Sequence, residues 1–251
     1  GNDRAGFGCA SALRSMLRQD PDVVMVGEIR DEETAAIAAQ AALTGHLVLS
    51  SLHTNDACAA PVRLMNLGVE SFLVATVLRG VLAQRLVRRV CPQCRREVDV
   101  EASVRRMVEA VAEVDGFHAG EGCQRCRGTG FSGRAGVFEL LRPDQAICDA
   151  ISASVPHRKL AEIARNAGFE SMRIDGLRKV AEGLTTVEEV LAATAAFLRD
   201  VSRASDPHGR WGRVSGGSSC TARGRAPCRG RPTWRRRPVC AALCSKEPSE
   251  M

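Results

Sequence analysis

The first part of the chain alternates apolar and polar stretches in a way that predicts a strand, a helix and a second strand. Residues 23–26 and 47–52 are apolar-rich runs of strand length, which is typical of buried parallel strands. Residues 32–43 lie between them, are rich in alanine, begin with two glutamates and are soon followed by Gly45, as expected for a helix. This order predicts a parallel β–α–β unit with a right-handed crossover, and therefore an α/β fold.

Apolar residues at helical spacing predict most of the remaining elements. The predicted helices cover residues 9–19, 56–66, 71–89, 104–114, 144–152, 157–166, 171–182 and 185–199, and residues 137–141 are predicted to form a short strand. Changes in composition divide the chain into four parts: an α/β region at 1–90, a Cys-, Gly- and Arg-rich insert at 91–135, a helical domain at 136–202 and a basic tail at 203–251.

The net charge of +6 is located in the tail. Residues 203–251 hold 11 of the 35 Lys and Arg residues and 3 of the 29 Asp and Glu residues, so the tail carries +8 and the rest of the chain −2. The body is therefore not a basic protein, and no specific nucleic-acid partner is expected. Three interpretations of the tail stay open: a disordered basic extension, a segment that contacts nucleic acid, and GC-rich DNA translated out of frame. The third is favoured because the tail is rich in Arg, Gly, Pro, Ser and Cys and shows no periodicity.

Two CxxC pairs predict a metal site. Cys91 and Cys94 form the first pair, and Cys123 and Cys126 form the second. Two thiolates at this spacing can share a tetrahedral Zn²⁺, and a second pair completes a closed structural site. The alternative is four free cysteines in a protein that is kept reduced. Zinc is favoured because paired CxxC spacing seldom arises by chance.

Charged and imidazole side chains flank the two predicted strands. Glu28 follows the first strand, His53 follows the second, and His46 precedes the second. Because ligands bind beyond the carboxyl ends of parallel strands, Glu28 and His53 are expected to face one crevice that suits metal-assisted phosphate chemistry. The alternative is that Glu28 is a surface carboxylate paired with Arg30 and that the histidines only hydrogen-bond neighbouring loops.

One part of a nucleotide site is missing from the sequence. A phosphate-binding loop has the pattern G-x-x-x-x-G-K-[ST], and none of the three lysines, Lys159, Lys179 and Lys246, stands in that pattern. This chain alone is therefore not expected to cradle the phosphates of ATP in the ordinary way. The sequence has no apolar run of membrane-spanning length and no recognisable leader, so a cytoplasmic location is expected.

Four stretches of the sequence resemble the type II secretion and type IV pilus assembly ATPases. They are residues 13–31 (LRSMLRQDPDVVMVGEIRD), 44–55 (TGHLVLSSLHTN), 80–91 (GVLAQRLVRRVC) and 128–141 (GTGFSGRAGVFELL). The first is similar to the Walker B region of that family, the second to its His box, and the last two to its metal-binding insert.

The resemblance implies the distal part of a RecA-like P-loop NTPase domain, followed by a tetracysteine zinc-binding insert and a C-terminal helical domain. It also implies ATP and Mg²⁺ as cofactors and Zn²⁺ as a structural metal held by the four CxxC cysteines. Glu28 is expected to be the catalytic Walker B glutamate, and Arg30, His46 and His53 are expected to lie near the nucleotide.

The resemblance further implies a cellular role. The family's motors are homo-hexamers, cytoplasmic and peripheral on the inner membrane, where they dock on platform proteins and drive pseudopilus assembly for type II protein secretion. The sequence around Gln84 favours this role over pilus extension, and the tetracysteine insert argues against a retraction ATPase. The Walker A loop, the Asp box and the N-terminal domains are expected before Gly1, and the tail is foreign to the family. Two alternatives stay open: a pilus extension ATPase fragment and a non-enzymatic zinc adaptor.

Overall fold

The protein is described from a computed structural model, which covers residues 9–194 and 239–243. In this part of the chain, the helices are α1 (Cys9–Leu17), α2 (Glu32–Leu43), α3 (Ala59–Asn66), α4 (Ser71–Val77), α5 (Ala102–Glu109), α6 (Gln145–Ser152), α7 (His157–Asn166), α8 (Met172–Ala181) and α9 (Val187–Thr194). The strands are β1 (Val23–Val26), β2 (Leu47–Leu52), β3 (Leu78–Val90), β4 (Arg95–Val98), β5 (Phe117–Gly120), β6 (Phe131–Leu141) and β7 (Val239–Leu243).

Five of the described strands form one mixed sheet in the order β1–β2–β7–β3–β6. β1 and β2 are parallel, with Val23 opposite Leu47 and Val26 opposite Ser50. β7 lies antiparallel between β2 and β3, and β6 pairs antiparallel with β3. β4 and β5 form a separate antiparallel pair. The result is a mixed α/β architecture, as the sequence predicted.

The predicted β–α–β unit is confirmed, and β1, α2 and β2 have the predicted bounds. The side chain of Asp31 caps α2, since its Oδ1 accepts a hydrogen bond from the backbone N–H of Thr34 at 2.8 Å. The alanines of α2 allow close packing against the sheet, and Ala38 and Ala42 are fully buried. This packing places the carboxyl ends of β1 and β2 side by side.

The helix predicted at 71–89 is wrong beyond α4, because β3 begins at Leu78. The apolar residues that suggested a helix also alternate, so that Val81, Ala83 and Val87 are all fully buried on one face of β3. β3 pairs with β6 over most of its length, and this pairing joins segments far apart in sequence. Gly80, which disfavours a helix interior, was the local signal against the prediction.

One face of the sheet carries the main hydrophobic core, which combines buried side chains of the sheet with those of α2, α3, α4, α6 and α7. The opposite face bears exposed apolar side chains, namely Val23, Met25, Leu82, Phe138 and Leu140. An exposed apolar surface of this kind is typical of regions that contact other polypeptide.

A second, smaller core joins the insert to the last helices. It consists of side chains from α5, β5, α8 and α9, namely Val108, Phe117, Leu177, Val180, Val187 and Val190. The two cores are linked at the end of β3, where the Arg88 guanidinium contacts Oε1 of the buried Glu189 at 2.5 Å. The predicted insert and helical domain therefore share a core, although their boundary near residue 135 stays a prediction.

Most of the predicted basic tail lies outside the described residues, as do residues 195–199 of the last predicted helix. Within the tail, residues 239–243 form β7, a strand that the sequence did not predict. The three interpretations of the rest of the tail stay predictions. None of the helices in the described part of the chain is both long enough and apolar enough to cross a membrane.

Candidate active site and metal centre

Glu28, Arg30 and His53 meet at the carboxyl ends of β1 and β2. His53 Nε2 lies 2.8 Å from Glu28 Oε2, and Arg30 Nη2 lies 2.5 Å from Glu28 Oε1. The predicted meeting of Glu28 with His53 is thus present, and so is the Glu28–Arg30 pair that the alternative interpretation expected. Each oxygen of the carboxylate has a different partner.

Backbone contacts bring the two strand ends together. The Ile29 N–H donates to the Ser51 carbonyl at 3.1 Å, which extends the β1–β2 pairing beyond the strands. The Ser51 hydroxyl donates to the Gly27 carbonyl at 2.6 Å. These bonds fix the two backbone segments that carry Glu28 and His53.

The two neighbours keep the Glu28 carboxylate ionised. Hydrogen bonds from Arg30, and to a lesser degree from His53, lower the pKa of Glu28 below its ordinary value. The Glu28 side chain is 30% exposed, so solvent reaches its carboxylate at the end of β1. Such a carboxylate can orient a water molecule or accept a hydrogen bond from a metal-bound water.

His46 lies at the other end of β2 and is not brought to Glu28. Its Nδ1 is 3.0 Å from the Ala41 carbonyl oxygen and 3.1 Å from Thr44 Oγ1, so the imidazole contacts the C-terminal end of α2. This contact matches the alternative interpretation, in which a histidine hydrogen-bonds a neighbouring loop. A role for His46 near a nucleotide stays a prediction.

The loop that follows His53 is held by contacts that the sequence did not reveal. Arg85 Nη2 donates to the Asn55 carbonyl at 2.7 Å. The Asp56 carboxylate lies 3.0 Å from His157 Nε2, and this hydrogen bond raises the pKa of His157. The partners come from β3 and α7, so the fold alone brings them together.

Glu139 holds the same loop from β6. Its Oε1 accepts the Ala57 N–H at 2.7 Å and its Oε2 accepts the Met172 N–H at 2.9 Å. Burial raises the pKa of Glu139, whereas these two N–H groups oppose the rise. A cavity of about 530 Å³ adjoins the loop, and Glu139 and His157 are among its lining residues. The sequence signal for Glu139 was a lone carboxylate within an apolar strand.

The four CxxC cysteines form a compact cluster, in which all Sγ atoms lie within 4.8 Å of one another. The Sγ–Sγ distances are 3.9 Å for Cys91 and Cys123, 3.8 Å for Cys94 and Cys126, and 3.7 Å for Cys123 and Cys126. A tetrahedral site with Zn–S bonds of about 2.3 Å places its sulfur atoms about 3.8 Å apart. The cluster therefore has the dimensions of a structural zinc site.

Backbone N–H groups donate to the sulfur atoms of Cys94 and Cys126. Cys126 Sγ accepts from the N–H of Cys123 at 3.1 Å and from that of Gly130 at 3.3 Å, and the pKa of Cys126 is lowered to about 6, chiefly by the first of these bonds. Gly122 N–H donates to Cys94 Sγ at 3.3 Å. Burial, in contrast, raises the pKa of Cys94 to about 12. A soft four-sulfur donor set of these dimensions fits Zn²⁺.

Comparisons with known proteins place these features in one family. A family model described as type II/IV secretion system protein matches residues 2–192. The type IV pilus assembly ATPase PilB of Thermus thermophilus is 53% identical over 196 residues, which are 77% of this chain and 22% of the relative. The type II secretion system protein HxcR of Pseudomonas aeruginosa is 50% identical, over 77% of this chain and 38% of the relative.

A solved structure shows the same relationship. The pilus retraction motor PilT with bound ADP has a TM-score of 0.52 and 28% identity, over 74% of this chain and 43% of that chain. The chain thus spans 22% to 43% of the length of the relatives and the structure compared with it.

Proposed function

Because the chain belongs to the type II/IV secretion system protein family, we propose that it is the C-terminal part of a secretion motor and carries the catalytic carboxylate of ATP hydrolysis. The meeting of Glu28 with His53 at the carboxyl ends of β1 and β2 carries this proposal. Relatives named as ATPases of secretion and pilus assembly support it.

In this proposal Glu28 is the Walker B glutamate and orients the attacking water. His53 and Arg30 hold its two carboxylate oxygens in place and keep the group anionic. Bound Mg²⁺ and ATP would supply the electrophilic phosphate, and residues outside this sequence would supply the phosphate-binding loop. The four cysteines would hold Zn²⁺, which would stabilise the two CxxC turns and supply no chemistry to the reaction.

We further propose that the motor is a homo-hexamer in the cytoplasm, bound peripherally to inner-membrane platform proteins, and that it drives pseudopilus assembly in type II secretion. Pilus extension is the second candidate, since PilB of Thermus thermophilus is 53% identical. Residues 2–192 can be placed in HxcR and in PilB to separate the two. Restored secretion without restored piliation supports type II secretion, and the reverse result supports pilus extension.

Catalysis is tested in a chimera in which residues 2–192 replace the matching part of Thermus thermophilus PilB. Glu28→Gln keeps the shape of the side chain but removes the anion, so the ATPase rate of the chimera should fall at least about 100-fold. Glu33→Gln, an exposed carboxylate on α2 paired with Arg14, is the matched control and should leave the rate near that of the unchanged chimera. A chimera that hydrolyses ATP equally well after the Glu28→Gln substitution contradicts the proposal.

The chain alone is expected to be inactive because its sequence lacks the phosphate-binding loop. ATP hydrolysis by the purified 251-residue protein, measured beside its Glu28→Gln variant, tests this point. Hydrolysis that depends on Glu28 in the isolated chain would contradict the expectation of inactivity and still support the catalytic role.

A further inference from the structure

Residues 53–57, here called the His53 loop, are fixed by three separate elements. Arg85 holds the loop from β3, His157 from α7 and Glu139 from β6. Each contact falls on a different residue of the loop, and the three contacted residues are consecutive. The backbone that carries His53 is therefore positioned by parts of the fold that do not touch Glu28.

Glu139 differs from the other two because it is buried and binds two segments at once. The residue is 6% exposed and lies in β6 between the fully buried Val137 and Leu141. One oxygen binds the loop at Ala57, and the other binds the first N–H of α8, at Met172. An N–H in the first turn of a helix has no partner within the helix, so the carboxylate satisfies the Met172 N–H. Its negative charge also interacts favourably with the dipole of α8.

The side chain of His53 has little packing of its own to hold it. It is 53% exposed, and it is hydrogen-bonded to Glu28. The position of the imidazole therefore depends on the backbone of the His53 loop. A shift at Ala57, four residues along the chain, moves this short backbone segment and changes the reach of His53 Nε2.

We propose that Glu139 is a positioning residue for the Glu28–His53 pair: it fixes the His53 loop against the start of α8, so that His53 Nε2 reaches the Glu28 carboxylate. The inference rests on the proposed function, because the pair gains its importance from catalysis. Because Glu139 binds both segments, a displacement of α8 would also shift the His53 loop and with it the candidate active site. Glu139 itself touches no reacting group.

The test uses the full chain and reads the Glu28 carboxyl by its ¹³C NMR titration. Glu139→Gln leaves an oxygen that accepts one N–H, but its amide nitrogen cannot accept the second. We expect the titration midpoint of Glu28 to rise towards its ordinary value, by part of the rise that His53→Ala causes. Adding Glu139→Gln to His53→Ala should produce no further rise, because the His53–Glu28 hydrogen bond is already lost.

Glu189→Gln is the matched control. Glu189 is also buried and also accepts two hydrogen bonds, both from Arg88, but it lies on α9 and contacts neither the His53 loop nor α8 through them. The Glu189→Gln substitution should lower the free energy of unfolding without changing the titration midpoint of Glu28. An unchanged Glu28 midpoint in folded Glu139→Gln protein would overturn the proposal, and so would an equal rise in the Glu189→Gln protein.

A measurement on the unchanged chain covers the case in which Glu139→Gln does not fold. Hydrogen exchange of the Ala57 and Met172 amides should be slow, and both should lose protection in the same opening event. Free exchange at Ala57 would overturn the proposal. Neither readout uses ATP, so the positioning role and the proposed ATPase function fail independently.

Discussion

The tetracysteine centre and the Glu28–His53 site each join two loops. The chain provides all four ligands of the first site, but its sequence lacks the phosphate-binding loop that the proposed function of the second requires. The four sulfur atoms within 4.8 Å of one another are a full ligand set for structural zinc. At the other site Arg30 and His53 satisfy the carboxylate, while their own side chains are 70% and 53% exposed. This difference fits the two proposed roles, because a structural metal site is closed by its ligands, whereas a site proposed to admit a substrate keeps its groups at the surface.

The largest expected effect follows from removing the zinc that is proposed for the tetracysteine centre. Structural zinc contributes on the order of 10 kcal/mol in small zinc-binding domains, and its removal should unfold the second core. Chelation, followed by hydrogen exchange, should expose amides of α5 and α9 and leave those of β1 and β2 protected. Zinc content should fall in Cys126→Ser and remain unchanged in Cys148→Ser, a half-buried cysteine outside the cluster. Equal zinc contents in the two variants would contradict a zinc site at the tetracysteine centre, and with it the contrast between the two sites.

A pair of glycine substitutions tests whether the tetracysteine turns are the more tightly built region. Gly130 has a φ of +74°, and a Cβ there would lie 2.3 Å from the Gly120 carbonyl oxygen. Gly130→Ala should therefore lower the free energy of unfolding by about 3 kcal/mol. Gly27→Ala beside Glu28 meets no atom within 4 Å and should be nearly neutral. Urea unfolding of both variants measures the difference, and similar costs would contradict it.

The smallest effect concerns pH and the contact of His157 with Asp56 of the His53 loop. The folded pKa of His157 is raised by its hydrogen bond to Asp56. The ion pair therefore stabilises the fold below about pH 6.5, and this contribution is lost as pH rises through the raised pKa. His157→Gln keeps a donor without the charge, so its deficit in unfolding free energy, about 1 kcal/mol or less, should be larger in acid than in alkali. A deficit independent of pH would show that the charge contributes nothing.

Local patterns in the sequence were sufficient for the part of the fold that carries Glu28. β1, α2 and β2 have the predicted bounds because a strand, a capped helix and a strand each have a local pattern and pair with their neighbours. The CxxC spacing likewise indicated a site shared by the two cysteine pairs, although the fold brings the pairs together across 32 residues.

Features that depend on distant partners were not predictable in this way. β3 was expected to be helical because its apolar residues fit both periods, and its pairing with β6 decides between them. The Thr185 hydroxyl donates to the Arg88 carbonyl, a contact between segments 97 residues apart. The roles of Glu139 and His157 likewise follow from contacts between segments that a local pattern does not relate.

β7 has a consequence for how the chain is made. Its residues are synthesised long after β2 and β3, yet they lie between those two strands. Contacts between residues distant in sequence form slowly, since a long segment must first be closed into a loop. While the rest of the chain is translated, the facing edges of β2 and β3 have unpaired N–H and C=O groups, which readily pair with other chains. These two edges are therefore the segments that a chaperone would need to shield at the ribosome.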